Sequence, residues 1–196
     1  MNATREYLSC AETAKLVRQA LKRAFPDAKF SVRSDTYSGG ASIDVRWTDG
    51  PRAKAVEPIA KQYQGGGFDG MIDMAYSRNH YLRADGSVFL RHDQGTQNSR
   101  GSVSEEDNRG LDSVMPSDVR VVRFAADFIF CQREISNEAE KIKAAGAWIM
   151  QHCTIEITTH GRAQFGTRDV QEIARAMAHD AEPGEDWQTV FSRRYE

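Results

Sequence analysis

Five histidines, three cysteines and a scatter of carboxylates are the side chains with which this 196-residue chain could do chemistry. Asp69 and Asp73 stand four apart in Phe68-Asp69-Gly70-Met71-Ile72-Asp73. That spacing suits a general acid–base pair or a divalent cation, with Asp44 joining from another strand. Asp-Gly is equally a turn signal, and Asp73 could serve as a cap or as the partner of an arginine. His80, His92, His152, Cys153 and His160 are the possible metal ligands, but none forms the short paired spacing that zinc favours. Cys153 would need a base within hydrogen-bond reach to act as a nucleophile, and the sequence supplies none. There is no G-x-S-x-G, G-x-x-x-x-G-K-[ST] or H-E-x-x-H pattern. Gly65-Gly66-Gly67 follows a helical stretch rather than a strand and reads as a helix stop and flexible turn. The expectation is a protein without catalytic residues, metal or cofactor, and so a binder rather than an enzyme.

The basic residues give the candidate binding surface. Nineteen of the 26 are arginine, whose planar fork suits phosphate and carboxylate. Lys15, Arg18 and Lys22 fall on one helical face, with Arg23 beside them. Arg33, Asp44 and Arg46 fall on one strand face. An arginine-bearing sheet could hold a phosphate backbone or an acidic protein surface; an ordinary solvated face has the same composition. Aromatic residues for stacking bases are sparse, with Tyr37 available and Trp47 expected in the core.

The elements that must position these residues follow from periodicity. Ser9 and Glu12 form a capping box, Leu16, Val17, Ala20, Leu21 and Ala24 recur at helical spacing, and Pro26 stops the run, predicting a helix over 10–25. Phe30 and Val32, then Ile43, Val45 and Trp47, alternate with polar residues around Ser38-Gly39-Gly40, predicting an antiparallel pair that the helix covers. Thr48-Asp49-Gly50-Pro51 opens a second helix carrying Val56, Ile59, Ala60 and Tyr63, with Pro58 predicting a kink or early stop. The stretch from Phe68 to Tyr76 gives no clear assignment. His80 to Arg83 and Ser87 to Arg91 read as a hairpin. After a polar stretch, Val119, Val121 and the run from Phe124 to Cys131 read as one or two strands. A helix over 137–151, a strand over 153–159, a helix capped by Thr167 and a short helix with Trp187, Val190 and Phe191 complete the chain. The predicted class is α+β, with a helix-covered antiparallel sheet in a lobe over 1–93, a polar loop or linker over 94–115, and a second small α+β lobe over 116–196.

Composition sets the outer bounds. With 40% hydrophobic residues and a net charge of −2, the chain fits a globular protein and excludes collagen, mucin, coiled coil and wholesale disorder. It also argues against a strongly basic nucleic-acid binder and a strongly acidic mimic of DNA. Residues 1–60 are net +3 and residues 111–196 net −4, a layout that suits steering of a charged partner. No apolar stretch near the amino terminus reads as a signal peptide, and no run is long enough for a membrane span. Cys10, Cys131 and Cys153 are an odd set without a CxxC pair, which leads us to expect free thiols in the cytoplasm.

Tyr7-Leu8-Ser9, Val17-Arg18, Leu21, Phe25-Pro26, Phe30-Ser31-Val32-Arg33-Ser34, the run from Tyr37 to Val45, Trp47, Asp49-Gly50-Pro51 and Phe68-Asp69-Gly70-Met71-Ile72-Asp73 together resemble a large polyvalent-protein-associated domain, type 29 in its series. The resemblance covers roughly residues 5–76; the stretch from Phe30 to Pro51 is its most specific part. It implies a context of phages and conjugative plasmids, where such domains accompany modules that protect the incoming element. The resemblance also implies an inhibitor of a host defence system, of the anti-CRISPR kind, that binds an effector nucleoprotein or its subunits in the host cytoplasm. A nucleic-acid-binding accessory module for DNA transfer, an antirestriction factor, and an enzyme using Asp69 and Asp73 or Cys153 with His152 are the alternatives.

Overall fold

The computed structural model describes residues 5–92, 116–159, 161–166 and 168–195. The polar stretch expected as a linker, 94–115, lies outside them, as do His160 and Thr167. Two compact units emerge: residues up to Trp47 with Ala53–Gln132, and Thr48–Arg52 with Arg133–Glu196. The class is α+β, as expected, with five helices among the described residues.

In the first unit, β1 (Glu6–Leu8) leads into α1 (Cys10–Ala24), whose start is fixed by the anticipated capping box. The Ser9 amide and hydroxyl donate to Glu12 Oε2 at 2.9 and 2.6 Å, and Ser9 Oγ accepts from the Glu12 amide. Strands β2 (Ser31–Tyr37) and β3 (Gly40–Thr48) form the predicted antiparallel pair. Val17 and Leu21 of α1 are fully buried with Val32, Ile43, Val45 and Trp47, so the helix covers one face of this sheet. Helix α2 (Ala53–Lys61) contains Pro58 and adds Val56 and Ala60 to the same core.

The stretch left unassigned forms a hairpin of β4 (Gly66–Asp69) and β5 (Met74–Ser77). Strands β6 (Asn79–Leu82) and β7 (Val88–His92) are the second predicted hairpin. The strands after Pro116, expected in the second lobe, belong to the first unit instead. Strand β8 (Arg120–Phe124) pairs in parallel with β1 and antiparallel with β6, and β9 (Phe128–Glu134) lies next to β3. The units therefore part after residue 132 and not at 116: Val122, Phe124 and Ile129 supply apolar area that the first core needs. Long-range pairing of this kind leaves no local sequence signal.

The second unit holds α3 (Glu138–His152), β10 (Glu156–Ile157), β11 (Ala163–Phe165), β12 (Arg168–Asp169), α4 (Val170–Asp180) and α5 (Trp187–Tyr195). Asp169, not Thr167, caps α4, its carboxylate accepting from the Gln171 amide at 2.7 Å. Ile149, Ile173, Met177 and Val190 form a separate core. The Thr48–Arg52 segment joins this unit through Asp49, which accepts from Lys141 Nζ at 2.7 Å and Ser136 Oγ at 2.5 Å. Arg133 adds bonds to the carbonyls of Asp49, Gly50, His179 and Ala181. No helix among the described residues is long and apolar enough to cross a membrane.

Two expected outcomes test these packing claims. Gly65 is pressed against the carbonyl of Phe124, and a Cβ there would collide with backbone. Gly65→Ala should therefore lower stability by roughly 1–3 kcal/mol, as overpacking does. Gly70→Ala, in open space, should be close to neutral; thermal melts compare the two. The hydrogen bond from Lys141, and then that from Ser136, holds the Asp49 carboxyl below its ordinary range. A depressed carboxyl stabilises the fold above its unfolded pKa, and that stability is lost as pH falls through the folded value. Asp49→Asn should lower Tm at neutral pH, with the gap to wild type closing below about pH 4.

Candidate partner-binding surface

Strand alternation places the candidate residues. Arg33 is the register partner of Asp44 and Ser31 that of Arg46, while Val32 pairs with Val45 on the covered face. Successive side chains alternate between faces, so Arg33, Asp44 and Arg46 share the face turned away from α1. Arg33 and Arg46 are exposed and make no ion pair among the described residues; Asp44 is half-buried. Asp35 and Tyr37 lie on this same face by the same alternation.

Strand β9 extends that face. Ile129 enters the core, which turns Phe128 and Phe130 outward. Their rings stack at 6.1 Å with 21° between planes, and each remains 48% exposed. Sequence reading missed these two, because a run from Phe124 to Cys131 gives no indication of which phenylalanines face water. The i, i+2 spacing of Phe128 and Phe130 is the one signal that could have found them.

The helical candidates sit elsewhere. Lys15, Arg18 and Lys22 are on the exposed side of α1, whose opposite side packs on the sheet. The ridge and the open sheet face therefore look in opposite directions, and the six candidate residues do not form one footprint. Arg18 is also engaged, its Nη2 donating to the Val32 carbonyl at 2.7 Å. Arg23 bonds the Asp85 carbonyl at 2.6 Å.

A further surface was not expected. The β4–β5 hairpin exposes Phe68, Met71, Ile72 and Met74, with Met71 78% exposed. Exposed apolar and methionine side chains grouped this way are typical of surfaces that meet another protein.

Asp69, Asp73, His80 and His152, considered above for chemistry, have structural roles. Asp69 is buried in this hairpin and accepts from the Met71 amide at 2.9 Å, while Asp73 adopts a left-handed conformation (φ 53°) in the turn. His80 is buried, its ring 5.0 Å from that of Phe124, and its strand partner is Leu90, not His92. His152 stacks on Trp148 at 4.7 Å. No group of metal-ligating side chains occurs among the described residues. Burial pushes the Cys10 thiol up, and pushes Cys131 up to about 11. Near neutral pH roughly one Cys131 in 10,000 is then thiolate. Iodoacetamide should accordingly leave Cys10 and Cys131 unmodified in the folded protein and alkylate both in denaturant, as peptide mass spectrometry would read directly.

The family described as large polyvalent protein associated domain 29 matches residues 8–136. That span runs from the end of β1 through β9, and so takes in the open sheet face and the hairpin. No curated protein and no solved structure matches the chain. The match fits a protein associated with phages and other mobile elements. With about two thirds of its length matched, the chain belongs to the large polyvalent protein associated domain 29 family.

Proposed function

We propose that this protein is a non-enzymatic inhibitor encoded by a mobile element, which docks stoichiometrically on a nucleoprotein of host defence and blocks or dismantles it. A CRISPR effector, or one of its subunits in the bacterial cytoplasm, is the partner we favour. The observation that carries the reading is the open β2-β3-β9 face, where exposed Arg33 and Arg46 lie with Tyr37, Phe128 and Phe130. Arginine and aromatic side chains are the residues that dominate binding energy at protein interfaces. The apolar β4–β5 hairpin offers a second contact of the same kind. Family membership supports the mobile-element context. The turn role of Asp69 and the raised Cys10 and Cys131 thiols fit a binder. A nucleic-acid accessory module is the second reading, favoured by the Phe128–Phe130 stack.

Capture from a host lysate, with and without nuclease, separates the two. The tagged protein should retain subunits of one defence complex after nuclease treatment and protect phage or plasmid in a defended host. Arg33→Glu with Arg46→Glu should cut capture by about tenfold or more, since each buried charged contact is worth on the order of 2–5 kcal/mol. Lys15→Glu with Lys22→Glu, on the opposite surface, should leave it intact. Absence of protection in every defended host tested would end the inhibitor reading, and recovery of nuclease-sensitive material alone would favour the accessory module.

A further inference from the structure

At its Gly40 end the open face runs into a cavity of about 470 Å³, lined in part by Tyr7, Tyr37, Gly40, Arg123 and Asp127. This volume is within the roughly 300–1,000 Å³ of small-molecule sites. Glycine at 40 lets the Tyr37 ring lie across β3 towards Asp127: a Cβ there would fall 2.9 Å from Tyr37 Cε2 and 2.8 Å from Asp127 Oδ2. Tyr7 and Arg123 are register partners in the β1–β8 pair. Leu8, Val122 and Phe124 on either side of them are buried, so Tyr7 and Arg123 both point outward. Arg123 is exposed and makes no ion pair among the described residues; Asp127 is held by the Ala41 amide at 3.1 Å. Asp127, on the cavity wall, is followed in the chain by Phe128, where the aromatic stack begins.

Exposed rings, Tyr7 and Tyr37 at the cavity and Phe128 and Phe130 on β9, suit an occupant with flat apolar faces and polar edges. A protein core would want the gaps between rings filled with aliphatic side chains, whereas here they hold Arg33, Asp35, Ser42, Asp44 and Arg46. Unpaired bases meet both demands, because each stacks on a ring while its sugar and phosphate stay hydrated or reach an arginine. A duplex does not, since its bases are already stacked on one another. Asp35 and Asp44 offset Arg33 and Arg46, so attraction to phosphate is weak and stacking carries the affinity.

We propose that this face binds a single strand of nucleic acid, one base entering the cavity between Tyr7 and Tyr37 and its neighbours stacking on Phe128 and Phe130. The proposal rests on the docking reading above only for the face used; the ligand it assigns, an unpaired segment of RNA or DNA, is the one that the accessory-module reading calls for. Fluorescence anisotropy of the full chain with labelled oligouridylate, oligothymidylate and duplex DNA, each of about 15 nucleotides per strand, tests it. One or both single strands should bind, and the duplex at least about tenfold more weakly; which strand binds tighter separates RNA from DNA. The salt dependence should be shallow, with a slope corresponding to about two or three phosphates. Phe128→Ala with Phe130→Ala should weaken binding by about tenfold or more, and Phe128→Tyr with Phe130→Tyr should restore it. Asp44→Asn should tighten binding and steepen its salt dependence. No single-strand binding at low salt, equal binding of duplex, or an alanine pair that binds like wild type would each overturn the proposal. If the alanine pair loses the strand yet still captures a nuclease-treated defence complex, the ligand is right but the complex is held elsewhere. If the strand binds and no defence complex is ever captured, the ligand stands and the inhibitor reading falls.

Discussion

The backbone of Asp127 is tied to Ala41: its amide donates to the Ala41 carbonyl at 2.8 Å, and its carboxylate accepts from the Ala41 amide at 3.1 Å. That clasp sets a segment more than eighty residues downstream beside the first hairpin. Ile129 is thereby placed in the core under α1, and Phe128 and Phe130 are left on the outside. It also brings the backbone of Phe124 and Ala126 against Gly65, whose amide donates to the Ala126 carbonyl at 2.8 Å. The three glycines at 65–67 are thus a place where two chain segments meet closely, not only a flexible stop. Burial drives the arrangement: Phe124 packs on Tyr63, ring centroids 5.7 Å apart, and Ile129 joins the core that holds Ile43 and Trp47.

Local pattern made much of this legible. The capping box, the alternation around Ser38-Gly39-Gly40 and the helix containing Pro58 are each set by residues within a few positions of one another. So is the placing of Arg33, Asp44 and Arg46 on one face, because the period of a strand is fixed at two. Pairing at a distance could not be read. Nothing near Val121 says that β8 will run beside both β1 and β6, and nothing near Phe128 says that its strand will close the first sheet. The candidate site was half visible for the same reason: its arginines lie on local strands, while its aromatic rings come from the strand that arrives last.

The six basic and acidic candidates also show how helical and strand periodicity can mislead when combined. Lys15 and Lys22 project from the far side of the helix that covers the sheet, so they cannot share a flat partner with Arg33 and Arg46. Charge on the open face is balanced by Asp35 and Asp44, which leaves the exposed rings of Tyr37, Phe128 and Phe130 as its distinctive feature. Stacking and apolar contact tolerate variation in the partner better than fixed charge pairs do.

The central claim is that the open sheet face, and not the helical side, meets the partner. Site-specific photocrosslinking tests it most directly, with a photoreactive phenylalanine analogue installed in host cells in place of Phe130 and, separately, in place of Lys15. The account predicts a covalent adduct to a defence subunit or its nucleic acid from position 130 and none from position 15. Adducts from position 15 alone would contradict it and move the binding surface to α1.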